Sequence, residues 1–283
     1  TLSLKVESPK MNRLDSVTSG ILTEDFTEGL SSIMVQGDTT SAFSVALAAF
    51  HRGVPVIHLE AGLRTYDLHQ PFPEEANRQM ISSIASLHLC PTELSKEHLT
   101  KEGRGLQSRI VVTGNTALDN IKNIKTTIQN RVLVTMHRRE NHDNMRDWFL
   151  SIDALASKYS EYEFIIPLHP NPNVVKCRDM FKHVRVVDPM PHDELINYLS
   201  SCSYVITDSG GIQEESSFFR KPCMVCRKET ERTEGLGNFS ILCKKPELVS
   251  EKYDLLSKLE MTGRCPYGNG KAAEKVVEEI EKL

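Results

Sequence analysis

The alternation of apolar and polar positions is clearest in the second half of the chain. From Arg131 onward, short β-branched runs alternate with amphipathic stretches of helical length. The runs that predict strands are residues 132–135, 164–166, 184–187, 204–207 and 224–225. The stretches that predict helices include residues 145–158, 193–200 and 212–219. Strands that alternate with helices indicate βαβ units and a parallel sheet, in which ligands bind beyond the carboxyl ends of the strands.

The first half repeats this pattern less completely. Strands are predicted at residues 33–35, 54–59 and 110–112, and helices at 14–22, 41–51, 74–85 and 115–125. A polar segment at 122–130 lacks long apolar runs and marks a domain boundary. We therefore predict an α/β protein with two Rossmann-like domains, residues 1–125 and 126–270, each built on a parallel sheet. A C-terminal helix at 271–283 is predicted to pack back on the first domain.

Composition narrows the class of protein. The 283 residues are 39% hydrophobic and 25% charged, as in an ordinary soluble globular protein. Lys and Arg number 34 against 38 Asp and Glu, so the net charge of -4 gives no electrostatic support for nucleic-acid binding. No segment approaches the roughly 20 apolar residues of a membrane span, and no secretion signal opens the chain. The 7 cysteines are scattered and odd in number, which predicts reduced thiols in a cytoplasmic protein.

Two of the cysteines need separate consideration. Cys223 and Cys226 have the Cys-x-x-Cys spacing of zinc and redox sites. No second pair lies nearby, and on a strand these two side chains point to opposite faces. We therefore predict that both pack in the core and that the chain has no metal site.

Carboxylates follow two of the predicted strands in the first half. Asp38 lies in Gly-Asp-Thr-Thr, where it could either cap the next helix or project as a base. Glu60 ends an apolar strand and, because an unpaired buried charge is costly, should meet Arg64, another base or a substrate hydroxyl. Glu74 and Glu75 stand in a first helical turn, where the helix dipole favours acids. The dipole accounts well for Glu75, whereas the rigid Pro before Glu74 could aim that side chain inward.

Cationic and glycine-rich segments follow the strands of the second half. His137, in His-Arg-Arg-Glu-Asn, stands with two arginines at a strand end and indicates an anion site. His169 lies in a rigid Pro-rich turn and could be either a ligand or structural. Ser209 opens a Ser-Gly-Gly turn before a helix, an arrangement that either binds phosphate or simply caps the helix. Two interior acids favour a nucleotide, and the absence of Gly-x-Gly-x-x-Gly disfavours NAD.

The order of the motifs resembles that of one known family. In sequence come Gly-Asp-Thr-Thr, His-Leu-Glu-Ala-Gly-Leu-Arg-Thr, Pro-Phe-Pro-Glu-Glu-Ala-Asn-Arg, His-Arg-Arg-Glu-Asn, His-Pro-Asn-Pro-Asn, Thr-Asp-Ser-Gly-Gly-Ile-Gln-Glu-Glu and Glu-Thr-Glu-Arg-Thr-Glu. The chain resembles the non-hydrolysing UDP-N-acetylglucosamine 2-epimerases from about Ser8 to the C-terminus. The resemblance implies a GT-B-like architecture with the ligand in a cleft between the domains.

The resemblance also implies a reaction and a set of residues. Such enzymes interconvert UDP-GlcNAc and UDP-ManNAc by anti elimination of UDP, through a 2-acetamidoglucal, and re-addition. They require no metal or redox cofactor and are expected to be homodimers. By resemblance, the acid/base carboxylates are Asp38, Glu60 and Glu74, and His137 stabilises the leaving diphosphate. The implied substrate-binding residues are Arg64, Arg78, Arg138, His169, Ser209, Gly210, Gly211, Glu215 and Arg232, with Ser209 to Gly211 on the diphosphate and Glu215 on the ribose.

One departure from the family pattern leaves alternatives open. Family members open with a strand and a Gly-Thr-Arg-Pro-Glu loop, which this sequence lacks. We therefore expect the first domain to be incomplete, or to be completed by a second chain. The alternatives to the epimerase are a non-catalytic nucleotide-sugar-binding or regulatory subunit and a GT-B glycosyltransferase, which needs an acceptor.

Overall fold

The computed structural model describes residues 12–283 and divides the chain into two compact units. Unit 1 holds the chain up to Asn115 together with Ala272–Leu283, and unit 2 holds Thr116–Lys271. The sequence placed this boundary later, at 125/126, after a predicted helix at 115–125. The structure has instead a short 3₁₀ helix, Thr116–Asn120, whose Leu118 is buried in the core of unit 2.

Unit 1 is built on a four-stranded parallel sheet of order β1-β2-β3-β4. Its strands are β1 Ile33–Gln36, β2 Val56–Leu59, β3 Leu87–Cys90 and β4 Arg109–Val112. Its first helices are α1 Arg13–Thr23, α2 Thr40–His51, α3 Glu74–Ile84 and α4 Glu93–Lys101, with a 3₁₀ helix at Arg104–Leu106. Every residue of β2 and β3 is buried, as expected for parallel strands covered on both faces.

Unit 2 is built on a six-stranded parallel sheet of order β10-β9-β8-β5-β6-β7. Its strands are β5 Arg131–Thr135, β6 Glu163–Pro167, β7 Arg185–Val187, β8 Tyr204–Thr207, β9 Cys223–Cys226 and β10 Ser240–Cys243. Its helices are α5 Met145–Lys158, α6 Pro172–Val175, α7 His192–Ser201, α8 Gly210–Phe218 and α9 Val249–Leu256. Further 3₁₀ helices are Arg139–Asn144, Arg178–Met180, Thr233–Gly235 and Pro246–Leu248.

Helices cover both faces of the unit 2 sheet, and each face has its own apolar cluster. Cys226 packs with the cluster around Trp148 of α5, whereas Cys223 packs with the cluster around Leu199 of α7. The two thiols of the Cys-x-x-Cys sequence therefore lie on opposite faces of the sheet. Within residues 12–283, no three His, Cys, Asp or Glu side chains converge on a point that could hold a metal ion.

The last helix, α10 Ala272–Ile280, belongs to unit 1. Its Val276 packs with buried leucines of β2 and β3, and its Glu279 forms an ion pair with Arg109 of β4. The predicted fold class, two α/β units with parallel sheets, is confirmed. None of the helices described in residues 12–283 is long and apolar enough to cross a membrane.

Candidate active site

The three predicted acid/base carboxylates stand at the carboxyl edge of the unit 1 sheet. Asp38 follows β1, Glu60 follows β2, and Glu74 begins α3. The Asn77 side-chain amide of α3 donates to the Asp38 carbonyl at 2.8 Å. The Glu60 Oε2 atom lies 3.6 Å from the point where a Cβ would stand on Gly37. Strand ends and a helix start thus bring these residues, separate in sequence, to one edge of the unit.

Asp38 has an arginine partner and does not cap α2. The cap is Thr39, whose hydroxyl accepts the Ala42 N–H at 3.1 Å. The Asp38 Oδ2 atom instead accepts from Arg78, with both Nε and Nη2 at 2.8 Å. Arg78 is 4% exposed and its Nη1 donates to Glu75 at 3.0 Å. The guanidinium contacts both carboxylates and positions Asp38, and the predicted role of Arg78 as a substrate ligand stays a prediction.

Two adjacent acids of α3 differ sharply in their surroundings. The fully buried Glu75 carboxylate accepts from the Thr65 and Tyr66 N–H groups at 3.0 and 3.2 Å, and also from Arg78 and Gln79. In the part of the chain that the structure describes, the buried Oε2 atom of Glu74 has no hydrogen-bond partner. Glu75 therefore fixes the fold of the segment after β2, whereas Glu74 has an oxygen available for chemistry.

Glu60 adopts a strained backbone conformation. Its φ is +63°, a left-handed value that costs a non-glycine residue about 1–3 kcal/mol. Such strain concentrates at functional positions because the surrounding structure must hold it. The nearby Gly62 cannot carry a side chain, since a Cβ there would stand 2.2 Å from the Ser95 carbonyl oxygen.

A buried histidine beside these acids was missed by the sequence prediction. The His58 Nε2–H donates to the Gly37 carbonyl at 2.8 Å, which fixes the turn that carries Asp38. Burial lowers the pKa of His58 to about 4, so the ring stays neutral at neutral pH. Its position in His-Leu-Glu, two residues before Glu60, was the only available signal.

Arg64 forms its hydrogen bonds within unit 1. It is 4% exposed, and its Nε and Nη2 atoms donate to the two oxygens of Glu102 at 2.8 and 3.0 Å. Two further bonds go to the Leu63 carbonyl and the Ser82 hydroxyl, both at 2.8 Å. The guanidinium thus ties the segment after β2 to Glu102, and its predicted role in substrate binding stays a prediction.

Unit 2 contains a cavity of about 330 Å³ at the carboxyl ends of β5, β6 and β8. Five of the predicted substrate-binding or catalytic residues line it: His137, His169, Ser209, Gly211 and Glu215. The rest of the lining is mostly apolar: Met136, Pro167, Pro170, Pro189, Met190, Leu195 and Ile212, with Thr135 and His192. Apolar walls with a few convergent polar groups are typical of a small-molecule site.

The Ser-Gly-Gly turn caps α8 and leaves N–H groups for a ligand. The Ser209 hydroxyl accepts the Ile212 N–H at 3.5 Å. The Gln213 N–H donates to the Ser209 carbonyl at 3.1 Å as the first bond of the helix, so the Gly210 and Gly211 N–H groups have no acceptor within it. Capping and anion binding are therefore compatible here, because the helix dipole adds positive potential at these donors.

Arg232 lies beside the start of α8. It is 8% exposed and its guanidinium forms ion pairs with Glu214 and Glu231. The group packs against Gly210, where an added Cβ would lie 2.6 Å from Nη1. Arg232 thus braces the start of α8 and pairs with two buried carboxylates, and its predicted role in lining the substrate cleft stays a prediction.

This packing predicts opposite outcomes for the two glycines of the turn. Gly210→Ala should lower the free energy of unfolding by about 1–3 kcal/mol, because overpacking displaces the ion-paired Arg232. Gly211→Ala should leave stability unchanged or raised, since its nearest neighbour would be the Ser209 hydroxyl at 3.9 Å. Denaturant unfolding of both variants checks this; equal losses would contradict the role given to Gly210.

Two histidines line one side of the cavity, and Arg138 follows the first of them in the chain. The His137 and His169 rings stack with centroids 4.9 Å apart at 22°. The Asn171 N–H donates to His169 Nδ1 at 3.1 Å, which places the proton of the neutral ring on Nε2. Burial lowers the pKa of His137, and the nearby Asp208 carboxylate opposes that shift. The buried Nε of Arg138 has no hydrogen-bond partner among the described residues, so this donor remains available.

Glu215 faces the cavity beside a histidine that the sequence prediction missed. The Glu215 carboxylate is 6% exposed, and its Oε1 lies 3.4 Å from His192 Nε2. Burial raises the pKa of Glu215, and the neighbouring imidazole opposes the shift. An acid in this position can accept hydrogen bonds from sugar hydroxyls. His192 begins α7 without a motif to mark it, so only the structure reveals the pair.

Comparison with known proteins agrees with this arrangement. Residues 22–281 match the sequence model of the family described as UDP-N-acetylglucosamine 2-epimerase. The chain is 35% identical to the UDP-N-acetylglucosamine 2-epimerase of Neisseria meningitidis over 321 aligned positions, covering 99% of this chain and 84% of that protein.

Solved structures give the same answer. The Neisseria meningitidis UDP-GlcNAc 2-epimerase bound to UDP-GlcNAc superposes with a TM-score of 0.84 at 33% identity, covering 98% of this chain and 84% of that one. The S. aureus MnaA–UDP co-structure gives 0.85 at 31% identity, covering 100% and 81%. The resemblance predicted from the motifs is therefore confirmed, and the chain belongs to the UDP-N-acetylglucosamine 2-epimerase family.

Proposed function

We propose that this chain inverts C2 of a UDP-linked N-acetylhexosamine, interconverting UDP-GlcNAc and UDP-ManNAc. The observation that carries the proposal is the group of three carboxylates at one edge of unit 1, Asp38, Glu60 and Glu74. Among the described residues, the buried Oε2 atom of Glu74 has no hydrogen-bond partner. An epimerisation needs one group to remove a proton and another to return it. Carboxylates held in a fixed geometry can fill both roles.

The first step is an elimination. One carboxylate takes the C2 proton, the electron pair forms the C1–C2 double bond, and the C1–oxygen bond to the diphosphate breaks. The products are 2-acetamidoglucal and UDP, and the negative charge gathers on the departing phosphate oxygen. In unit 2, the Gly210 and Gly211 N–H groups, His137 and Arg138 are the donors available for that charge.

The second step reverses the first on the other face of the sugar. A second carboxylate delivers a proton to C2, and the same phosphate oxygen adds back to C1. Atoms and charge balance over the two steps, so neither an oxidant nor a further reactant is consumed. Arg78 keeps Asp38 in place through both steps.

The nucleotide half of the substrate is assigned to the unit 2 cavity. Its apolar walls suit the flat uracil ring, Glu215 accepts from ribose hydroxyls, and the Ser209 turn takes the diphosphate. Two similar proteins support a nucleotide ligand, since the Neisseria meningitidis structure is bound to UDP-GlcNAc and S. aureus MnaA forms a co-structure with UDP.

The proposal is tested by incubating the protein with UDP-GlcNAc alone and separating the nucleotide sugars. UDP-ManNAc should appear without any acceptor, and UDP-ManNAc as the starting material should give the same final mixture. Binding of UDP without turnover would contradict the proposal and indicate a non-catalytic binder. Turnover that depends on an acceptor would indicate a glycosyltransferase, and release of free ManNAc a hydrolase.

A further inference from the structure

Asp208 is a fully buried carboxylate that none of the roles above uses. It is 0% exposed and accepts the His137 N–H at 3.1 and 3.0 Å, the Arg138 N–H at 2.9 Å and the Asn141 side-chain amide at 3.1 Å. We propose that Asp208 is a positioning residue for the diphosphate, and that it holds the segment after β5 so that His137 and Arg138 face the bound nucleotide. This inference rests on the proposed function.

The sheet explains how one residue can reach both halves of the anion site. Strands β5 and β8 are neighbours, with Thr135 opposite Thr207 in the register. Asp208 follows β8 directly, and its N–H donates to the Thr135 carbonyl at 3.1 Å. The next residue along the chain is Ser209, which opens the glycine turn. Asp208 therefore joins the segment after β5, which holds His137 and Arg138, to the glycine turn. The distance between the donors of that segment and the donors of the turn depends on Asp208.

The buried negative charge of Asp208 is unfavourable unless hydrogen bonds compensate for its loss of hydration. A negative group beside a diphosphate opposes binding, and a buried carboxylate left unpaired costs several kcal/mol. Its Oδ2 atom instead accepts from the two backbone N–H groups and the Asn141 amide, and Oδ1 shares the His137 N–H. An Asn side chain whose oxygen kept the three bonds of Oδ2 would place its NH₂ group at the Oδ1 position, where it would face the His137 N–H and Nδ1, and it would carry no charge. Asp208 thus supplies a fixed anionic acceptor on the side that faces the His137 ring.

The same carboxylate acts on the imidazole of His137. The Asp208 Oδ1 atom lies 4.0 Å from His137 Nδ1, close enough to favour the protonated ring. The other charged or titratable groups that face this ring are His169 after β6, and Arg138 and His142 from its own segment, and all of these disfavour the protonated form. Asp208 is therefore the one neighbour among these that supports a proton on His137.

The test is Asp208→Asn in the full chain, with UDP binding followed by calorimetry and epimerisation followed across pH. The variant should displace the segment that holds His137 and Arg138 and so weaken UDP binding. It should also lower kcat by about 10²-fold, because misplacing reacting groups by about 1 Å has an effect of this size. If protonated His137 assists the leaving diphosphate, removing the carboxylate lowers the pKa of His137 further. The alkaline limb of the kcat profile should then move to lower pH.

Unit 2 offers a matched control in Asp153 of α5. It too is buried, and one oxygen accepts the N–H groups of Lys182, His183 and Val184 at 2.9, 2.8 and 3.1 Å. It lines neither the cavity nor the anion site. Asp153→Asn should cost stability as Asp208→Asn does, yet leave UDP affinity and the position of the pH limb unchanged.

A milder variant covers the case in which Asp208→Asn fails to fold. Asn141→Ala removes one donor to Asp208 and should weaken UDP binding in the same direction by a smaller factor. The inference is overturned if a folded variant, Asp208→Asn or Asn141→Ala, binds UDP as tightly as the unaltered chain and the alkaline limb of its kcat profile stays at the same pH. Failure of the unaltered chain to epimerise while these UDP affinities still differ would overturn the proposed reaction and leave the positioning role standing.

Discussion

Replacing Glu60 by Gln is expected to lower kcat for epimerisation by about 10²–10⁴-fold, the usual contribution of a general acid–base group. The amide has nearly the same shape as the carboxylate, but it cannot accept a proton. Glu60 is held at a strained φ of +63° beside Gly37, so the fold places its carboxylate. Initial rates with UDP-GlcNAc measure the loss.

The affinity for UDP separates this chemical effect from general damage. UDP is assigned to residues of unit 2, so Glu60→Gln should bind it as well as the unaltered chain. Glu97→Gln is the control in the same unit, since Glu97 is 61% exposed and forms only a surface ion pair with Lys101. A Glu60→Gln protein that retained more than a tenth of the original kcat would remove Glu60 from the acid/base set.

Replacing Glu75 by Gln is expected to lower the free energy of unfolding by about 3–5 kcal/mol, as when one partner of a buried ion pair is lost. Its fully buried carboxylate accepts from four donors, including Arg78 and two backbone N–H groups of the segment after β2. An amide cannot accept from all four, and it removes one of the negative charges that Arg78 contacts. Denaturant unfolding measures the loss.

The neighbouring Glu74→Gln is the matched variant, with the opposite expected result. Its buried Oε2 atom has no hydrogen-bond partner within residues 12–283, so removing the charge should leave stability unchanged or raise it. Its kcat should nevertheless fall by about 10²–10⁴-fold. If the two variants lost equal stability, or if Glu74→Gln kept full activity, the division between a structural and a chemical acid would be wrong.

The pattern of apolar and polar residues predicted most of the fold, but it missed two strands, β3 in unit 1 and β10 in unit 2. Runs at 132–135, 164–166 and 204–207 became β5, β6 and β8, because buried parallel strands have continuous apolar sequences. β3 is only Leu87–Cys90, with His88 inside it, and β10 is the four residues Ser240–Cys243. Both strands contain polar or sulfur-containing residues, in the sequences Leu-His-Leu-Cys and Ser-Ile-Leu-Cys, so neither has the continuous run of large aliphatic residues by which β5 and β6 were identified.

The site was predicted best where function follows from position along a strand. Glu60, His137 and Ser209 could be singled out because each follows an apolar run, and parallel strands bring such residues to one edge. The arginines could not be assigned in this way. Arg64 pairs with Glu102 and Arg78 with Asp38, partners 38 and 40 residues away, and a long side chain can equally reach a ligand or such a carboxylate. Only the tertiary structure shows which carboxylates an arginine contacts.

The most direct test of the central claim, that C2 is deprotonated and reprotonated, is epimerisation in heavy water. The protein is incubated with UDP-GlcNAc in D₂O, and C2 of both nucleotide sugars is observed by NMR and mass spectrometry. We expect UDP-ManNAc to form and deuterium to accumulate at C2 of both sugars, with Glu60→Gln slowing both processes. Formation of UDP-ManNAc that retains its original C2 hydrogen, or no UDP-ManNAc from a folded protein that binds UDP, would contradict the account.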